Sequence, residues 1–393
     1  MDRLFGDAGN DTIFVGRSVD IDIPDGPNGT TTSQLPSTNG EEGEFASGGS
    51  GNDVLVGGNN GEIMFGGTGH DVLFGFDGND QLYGGDGDDT IIVDAGDNEI
   101  FGGAGNDIMR ANNGCTICLN DFDAGDGDDY VRGGFGDDDI YGGDGDDDLN
   151  GRRGNDEVFG GAGNDMVAGG NVDANGTDVV KGGPGNDIVY GGASSDFTGG
   201  NGFAKYLYGD EGDDKVWGSN TMEYEYIWGG AGEDILYGGY DNDNEYINGN
   251  EGDDIIYPAS GTVVTDRVRA GKGDDQINPV VLEFDAMGTL TTDLTSRLNQ
   301  SAYGNAETNW QGGEGNDIIW GKFMPGAEQV YEGGNGDDTI YGAYGQTAGE
   351  QKIVGGGGKD FISTEFYNGL DIADLQDLTI WGDWDYGTGA DFD

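Results

Sequence analysis

Residues 66–92 read GGTGHDVLF, GFDGNDQLY and GGDGDDTII, three successive nonapeptides with glycine at positions one and four and aspartate at position six. Position eight is Leu73, Leu82 and Ile91 in turn. Glycine supplies the positive-φ backbone that side chains resist, so the first six residues of each unit predict a tight turn. The last three predict a very short strand whose middle residue points one way and its neighbours the other. One buried side chain per strand makes a thin core. It closes only if successive strands alternate between two facing sheets, so that two nonapeptides form one coil of a right-handed parallel β-roll, an all-β solenoid.

The pattern extends outward from this stretch in both directions. Clean copies open at Gly48, Gly102, Gly133, Gly142, Gly160, Gly182, Gly229 and Gly312. The eighth position stays apolar at Leu4, Ile13, Leu55, Ile100, Ile140, Val158, Val189, Val216, Ile227, Leu236, Ile256, Ile319, Ile340 and Ile362. The whole of 1–393 is expected to be one continuous roll with insertions at 18–47 and 279–308. With about 16–17 two-turn coils at a strand spacing of about 4.8 Å, it should be a rod roughly 80 Å long.

Composition agrees and excludes much else. Of 393 residues 84 are glycine, and 77 acidic against 16 basic side chains give a formal charge of −61. Such a polyanion will not seek nucleic acid or an anionic membrane. Hydrophobic residues at 34% are too many for a disordered acidic tail. No run of about 18 apolar residues is present, so no membrane insertion is expected. A repetitive fold in which bound cations cancel much of the charge is what remains.

These units resemble the RTX (repeats-in-toxin), or haemolysin-type calcium-binding, nonapeptide of parallel β-rolls. The resemblance implies that the position-six aspartates and carbonyls of the Gly-rich turns hold Ca²⁺ along one edge. Carried over residue by residue, the ligands are Asp11, Asp53, Asp71, Asp89, Asp107, Asp129, Asp147, Asp165, Asp187, Asp214, Asp234, Asp254, Asp275, Asp317, Asp338 and Asp360. Calcium takes six to eight hard oxygens in a flexible shell, which such turns supply. About fifteen ions on that edge would offset roughly half the charge, and folding should depend on them. The resemblance also implies secretion to an extracellular or cell-surface location.

Turn counting exposes a parity. Numbered from Gly6–Asp11, the sixteen turns ending in these aspartates are all odd. Even turns lose the acid, as at Val93–Asn98 and Ala111–Thr116, or swell, as at Gly169–Asp178, Gly218–Glu225, Gly238–Glu245 and Gly321–Glu328. Odd and even turns lie on opposite edges, so one edge is a calcium ladder and the other is variable. Asp80, Asp138 and Asp156 keep the acid on the even edge and predict a second, short run of calcium there.

Position nine should face outward and is often aromatic: Phe5, Phe65, Tyr83, Phe101, Tyr141, Phe159, Tyr208, Trp228, Tyr331 and Trp381 after even turns, with Tyr190, Trp217, Tyr237, Tyr257, Trp320 and Tyr341 on the other sheet. Such ladders stabilise neighbouring strands or form contact surfaces. The chain starts and stops inside a repeat, as a fragment of a longer array also would. Head-to-tail self-association into a filament or surface layer is therefore expected. The alternative is an adhesin or carbohydrate-binding module that uses the ladders to meet a glycan or another surface protein.

No enzyme is expected. His70, the single histidine, is a turn spacer, so Ser-His-Asp and His-Glu-x-x-His chemistry is missing. No nucleophile elbow or phosphate loop occurs. Register places Cys118 at an inward eighth position and Cys115 in a degenerate turn, which reads as two separate thiols.

Overall fold

The computed structural model describes residues 3–15, 32–34, 44–112, 115–170, 177–192, 205–219, 225–239, 245–258, 267–278, 307–321, 328–342, 351–363 and 378–381. The two expected insertions, 18–47 and 279–308, lie largely outside them. The chain divides into two compact units, Met1–Asp196 and Phe197–Asp393. Every described element is a strand.

In the first unit one sheet is built from Arg3–Ala8, Phe45–Ser50, Ile63–Thr68, Gln81–Asp86, Asn98–Ala104, Asn120–Asp126, Asp138–Asp144, Glu157–Ala162 and Val179–Pro184. The strands between them, among them Val54–Val56, Val72–Phe76, Thr90–Val93, Ile108–Ala111, Tyr130–Arg132 and Asp148–Arg152, form the second sheet. All pairings are parallel and nearly all in register: Leu82 lies beside Ile100, Ile100 beside Phe122, Phe122 beside Ile140 and Ile140 beside Val158. These residues face Leu73, Ile91, Met109, Val131 and Leu149 of the other sheet, all essentially inaccessible. Each buried aliphatic side chain contributes about 1.5–3 kcal/mol, so the core is a double file held by many small equal terms. The chain is an all-β parallel β-roll, as the repeat requires.

The second unit repeats the plan. Leu207, Ile227, Ile247 and Val268 are buried on strands Lys205–Glu211, Glu225–Ala231, Glu245–Glu251 and Arg267–Lys272. They oppose Val216, Leu236, Ile256 and Ile277. Two larger side chains continue the file, Trp310 and Tyr331, which meet edge to face at 5.4 Å. Tyr331 therefore points inward, not outward as expected. The swollen even turn before it is one residue longer than assumed, so Gln329 takes position six and Tyr331 position eight.

A second register correction concerns the cysteines. Phe122 occupies the buried eighth position on strand Asn120–Asp126, and Asn120 the sixth. The turn after Ala111 is thus four residues longer than assumed. Cys118 sits within it, where it accepts a hydrogen bond from the Gly96 N–H at 3.0 Å, and it is joined to Cys115 in a disulfide. The two are one crosslinked turn rather than two separate thiols.

Glycine at position four is demanded twice over. At Gly69 φ is +128°, and an added Cβ would stand 2.1 Å from the Gly51 carbonyl oxygen of the preceding coil. At Gly9 φ is +118° with no atom within 4 Å of that point. Gly9→Ala should therefore show only the backbone cost of about 1 kcal/mol, and Gly69→Ala that cost plus a clash, about 2–4 kcal/mol in all. Chemical denaturation of the two variants checks the order.

Candidate metal centre

The turns place a carboxylate at the same height in every coil. In the first unit Asp11, Asp53, Asp71, Asp89, Asp107, Asp129, Asp147, Asp165 and Asp187 stack in one buried column. Each main-chain N–H donates to Oδ1 of the next aspartate: Asp53 to Asp71, Asp71 to Asp89 and Asp89 to Asp107, each at 2.7 Å. The second unit carries the same column through Asp214, Asp234, Asp254, Asp275, Asp317, Asp338 and Asp360, at 2.8–3.1 Å.

The other oxygen of each carboxylate is where a cation is needed. Oδ2 of Asp53, Asp71, Asp89, Asp107, Asp129, Asp147 and Asp165 is buried and accepts no hydrogen bond, and the same holds for Asp234, Asp254, Asp275, Asp317, Asp338 and Asp360. A buried carboxylate oxygen without a partner is costly. Around it lies more oxygen. A methyl group on Gly66 would come 2.4 Å from Asp71 Oδ2 and 2.6 Å from the carbonyl oxygen of Gly84 in the next coil. The first glycine of the turn is thus bare because two oxygens converge over its Cα.

Among the described residues no three acidic, histidine or cysteine side chains converge on one point. Side chains alone make no metal cage here. The donor set is one carboxylate per turn supplemented by turn carbonyls, all hard oxygens, and it fits a hard divalent cation of the Ca²⁺ kind.

Burial lifts the column's acidity out of the ordinary carboxylate range. It pushes Asp89, Asp107, Asp147, Asp275 and Asp317 to about 7 and Asp254 to about 8, with neighbouring aspartates adding repulsion and the amide donors opposing both.

A second ladder runs along position five, exposed and in the opposite sense. The N–H of Asp88 donates to His70 Nδ1 at 2.8 Å, that of Asn106 to Asp88 Oδ1 at 3.0 Å, and that of Asp146 to Asp128 Oδ1 at 3.0 Å. His70 is therefore one rung of this ladder. The frequent Asn and Asp at position five were the available signal for it.

The even edge of the first unit is fuller than the three acids expected. Glu44, Glu62, Asp80, Asn98, Asn120, Asp138, Asp156 and Asp178 are all buried there, and Glu225, Glu245 and Gln329 hold the equivalent place in the second unit. Their chemistry is mixed. Asn98 Nδ2 donates to Asn120 Oδ1 at 2.8 Å, and Asn120 Nδ2 to Asp138 Oδ1 at 2.6 Å. Asp138 Oδ2 accepts from the Gly134 N–H at 2.6 Å. Asp138 is thus satisfied by protein donors, whereas Oδ2 of Asp80 and Asp156 is buried without one. Burial, then Asp178 and Asp138, pushes Asp156 to about 9.

The outward aromatics stack on one another. Phe65, Tyr83 and Phe101 follow at 4.6 and 4.8 Å with planes within 6°, and Trp217, Tyr237 and Tyr257 at 5.2 and 4.9 Å. Ring faces are spent within each ladder, and the edges are turned to solvent.

A family model for the RTX calcium-binding nonapeptide repeat matches residues 2–21, 39–114, 120–204, 206–220, 228–264, 311–322 and 330–346. A search of curated proteins finds no match. No helix among the described residues is long and apolar enough to cross a membrane.

Two predictions follow from the column. In chelator, its carboxylates titrate higher folded than their unfolded value of about 3.9. The folded state thus carries no ionisation penalty below that value, and the penalty grows through about pH 4–8 and is complete above. Urea midpoints of the metal-free protein should fall as pH rises across that window. Asp107→Asn retains an Oδ1 acceptor for Asp89 but removes the charge. It should raise stability in chelator at about pH 5, where protonation still holds the bare column, and lower it in calcium, each by about 1–3 kcal/mol, which paired urea titrations read directly.

Proposed function

Because the chain belongs to the RTX calcium-binding nonapeptide-repeat family, we propose that it is an extracellular structural protein whose roll is assembled by calcium and whose copies join coil on coil. The carrying observation is the column of buried Oδ2 atoms with no donor of their own. One ion per gap along the odd edge gives about eight in the first unit and about six in the second, each linking consecutive turns. Binding to the folded chain alone makes that affinity folding free energy. Calcium concentrations that load flexible oxygen sites of this class are those outside cells, so the fold would form after export.

Coil-on-coil joining is supported by the translational register. Each coil offers its neighbour the same main-chain edge, the same donor to Oδ1 and the same apolar file. An uncovered coil of one copy is therefore complementary to an uncovered coil of another. Heterologous contacts of this kind extend as open filaments or layers. The glycan-binding alternative has less support, because sugars stack on ring faces and the ladder rings cover one another's.

Calcium titration followed by far-ultraviolet circular dichroism, with negative-stain imaging of the same samples, tests both parts. At about pH 8, where most of the bare column is ionised, the β signal should appear cooperatively with calcium and vanish in chelator, and filaments or sheets should form only in calcium. Native spectra in chelator at that pH would remove the calcium reading. Dispersed single particles at high concentration in calcium would remove the assembly reading alone.

A further inference from the structure

Outside the metal column, the coils spanning residues 98–159 of the first unit carry opposite charge on their two outer faces. On one sheet, Glu99, Asp121, Asp139 and Glu157 fall in register on four adjacent strands, all exposed. Asp123 stands beside them, between Phe101 and Tyr141, where it interrupts the aromatic ladder. Like charges directly opposite on neighbouring strands are destabilising. Burial, then Asp139, Glu99 and Asp123, pushes the Asp121 carboxyl up. Glu99 accepts a hydrogen bond from Gln81 at 2.9 Å, and among the described residues none of the four acids forms a salt bridge.

The other sheet of the same coils is the reverse. Arg110 and Arg132 are exposed and directly paired, and Arg152 and Arg153 lie over Phe135 on the adjoining edge. Four of the chain's 16 basic residues are thus gathered on this short stretch of a protein of charge −61. Around them are exposed Ile108 and Met166 and half-buried Tyr130, whose ring lies under the Arg110 guanidinium at 5.1 Å. Asp148 lies close enough to feel Arg132, and Asp138 close enough to act on Arg152. Arginine, tyrosine and methionine are the residues enriched where protein surfaces meet.

Each face pays a repulsion that the other would relieve, and both columns repeat at the spacing of the roll, so they can match coil for coil. The molecule also shows how a ladder ring end is covered: Lys181 Nζ lies 5.2 Å over Phe159, next in the file after Tyr141. We propose that these faces form a lateral interface between two copies of this chain, with the Glu99–Asp121–Asp139–Glu157 row and Asp123 of one copy receiving Arg110 and Arg132 of the next. Because the two faces lie on opposite sides of the same coils, the contact is heterologous and spreads sideways as a layer. It needs the calcium-loaded fold but not coil-on-coil joining.

The test uses the full chain at saturating calcium, with circular dichroism to confirm folding and sedimentation velocity to read association. Variant one carries Arg110→Glu and Arg132→Glu, and variant two Asp121→Lys and Asp123→Lys. Each alone should associate about tenfold or more weakly than the parent protein. Their equimolar mixture should regain association to within about twofold, since each then offers the face the other lacks. Raising salt from about 50 to about 500 mM should weaken the parent and the mixture alike. Variants that associate like the parent, a mixture as weak as its components, or a parent that stays monomeric at low salt would overturn the proposal. So would association that follows excess calcium and ignores the Arg110 and Arg132 reversal, since the acidic row would then be taking ions instead of a second copy.

Discussion

A carboxylate that is half satisfied governs this fold. From Asp53 to Asp165 each odd turn buries an aspartate whose Oδ1 is held by an amide of the preceding coil and whose Oδ2 accepts no hydrogen bond. The rest of the nonapeptide accommodates that arrangement. Position one is bare because Oδ2 and a carbonyl crowd its Cα, and position eight supplies the small apolar burial that keeps the turn shut. A large aliphatic core would tolerate a few uncompensated charges, but a double file one residue deep does not. On the proposed reading the ion is a structural member, and the extreme negative charge belongs to the chain before it is loaded.

The sequence made the odd edge readable because its turns keep a fixed length. With Gly-Gly-x-Gly-x-Asp intact, the position of every later side chain follows by counting, and Asp89 or Ile91 can be placed without a structure. Counting fails where glycines drop out and the turn swells. Between Ala111 and Asn120 no residue marks where the turn ends, and an apolar-looking Cys118 is as acceptable at position eight as Phe122. At 321–331 the same ambiguity exchanged Val330 and Tyr331, and the structure buries the larger side chain, directly beside Trp310 on the neighbouring strand. Even-edge residues such as Glu62 and Asn98 escaped for a different reason: a longer carboxylate or a neutral amide fills the same place with another set of partners. The position-five ladder was open to view in the Asn and Asp at that site, but those residues are equally at home in any solvated turn.

Metal and aromatic columns divide the labour of holding coils together. Carboxylates and turn carbonyls join them at the edges, where an ion can reach, and stacked rings join them across the outer faces, where it cannot. Both operate at the strand spacing, so they reinforce one another in every coil. The charged rows at 99–157 and 110–132 obey that spacing too, but beyond Gln81 on Glu99 and Tyr130 under Arg110 they set like charges side by side. The lateral contact proposed above would relieve both.

The opposed position-five and position-six ladders have an implication for how such proteins change over generations. At each junction one amide reaches forward and another reaches back, so a coil meets both neighbours with the same complementary set. Duplicating or deleting one coil in the gene would leave every remaining junction chemically unaltered. Repeat number is thus free to drift by recombination without a compensating mutation elsewhere, and the length of the protein can be selected separately from its stability.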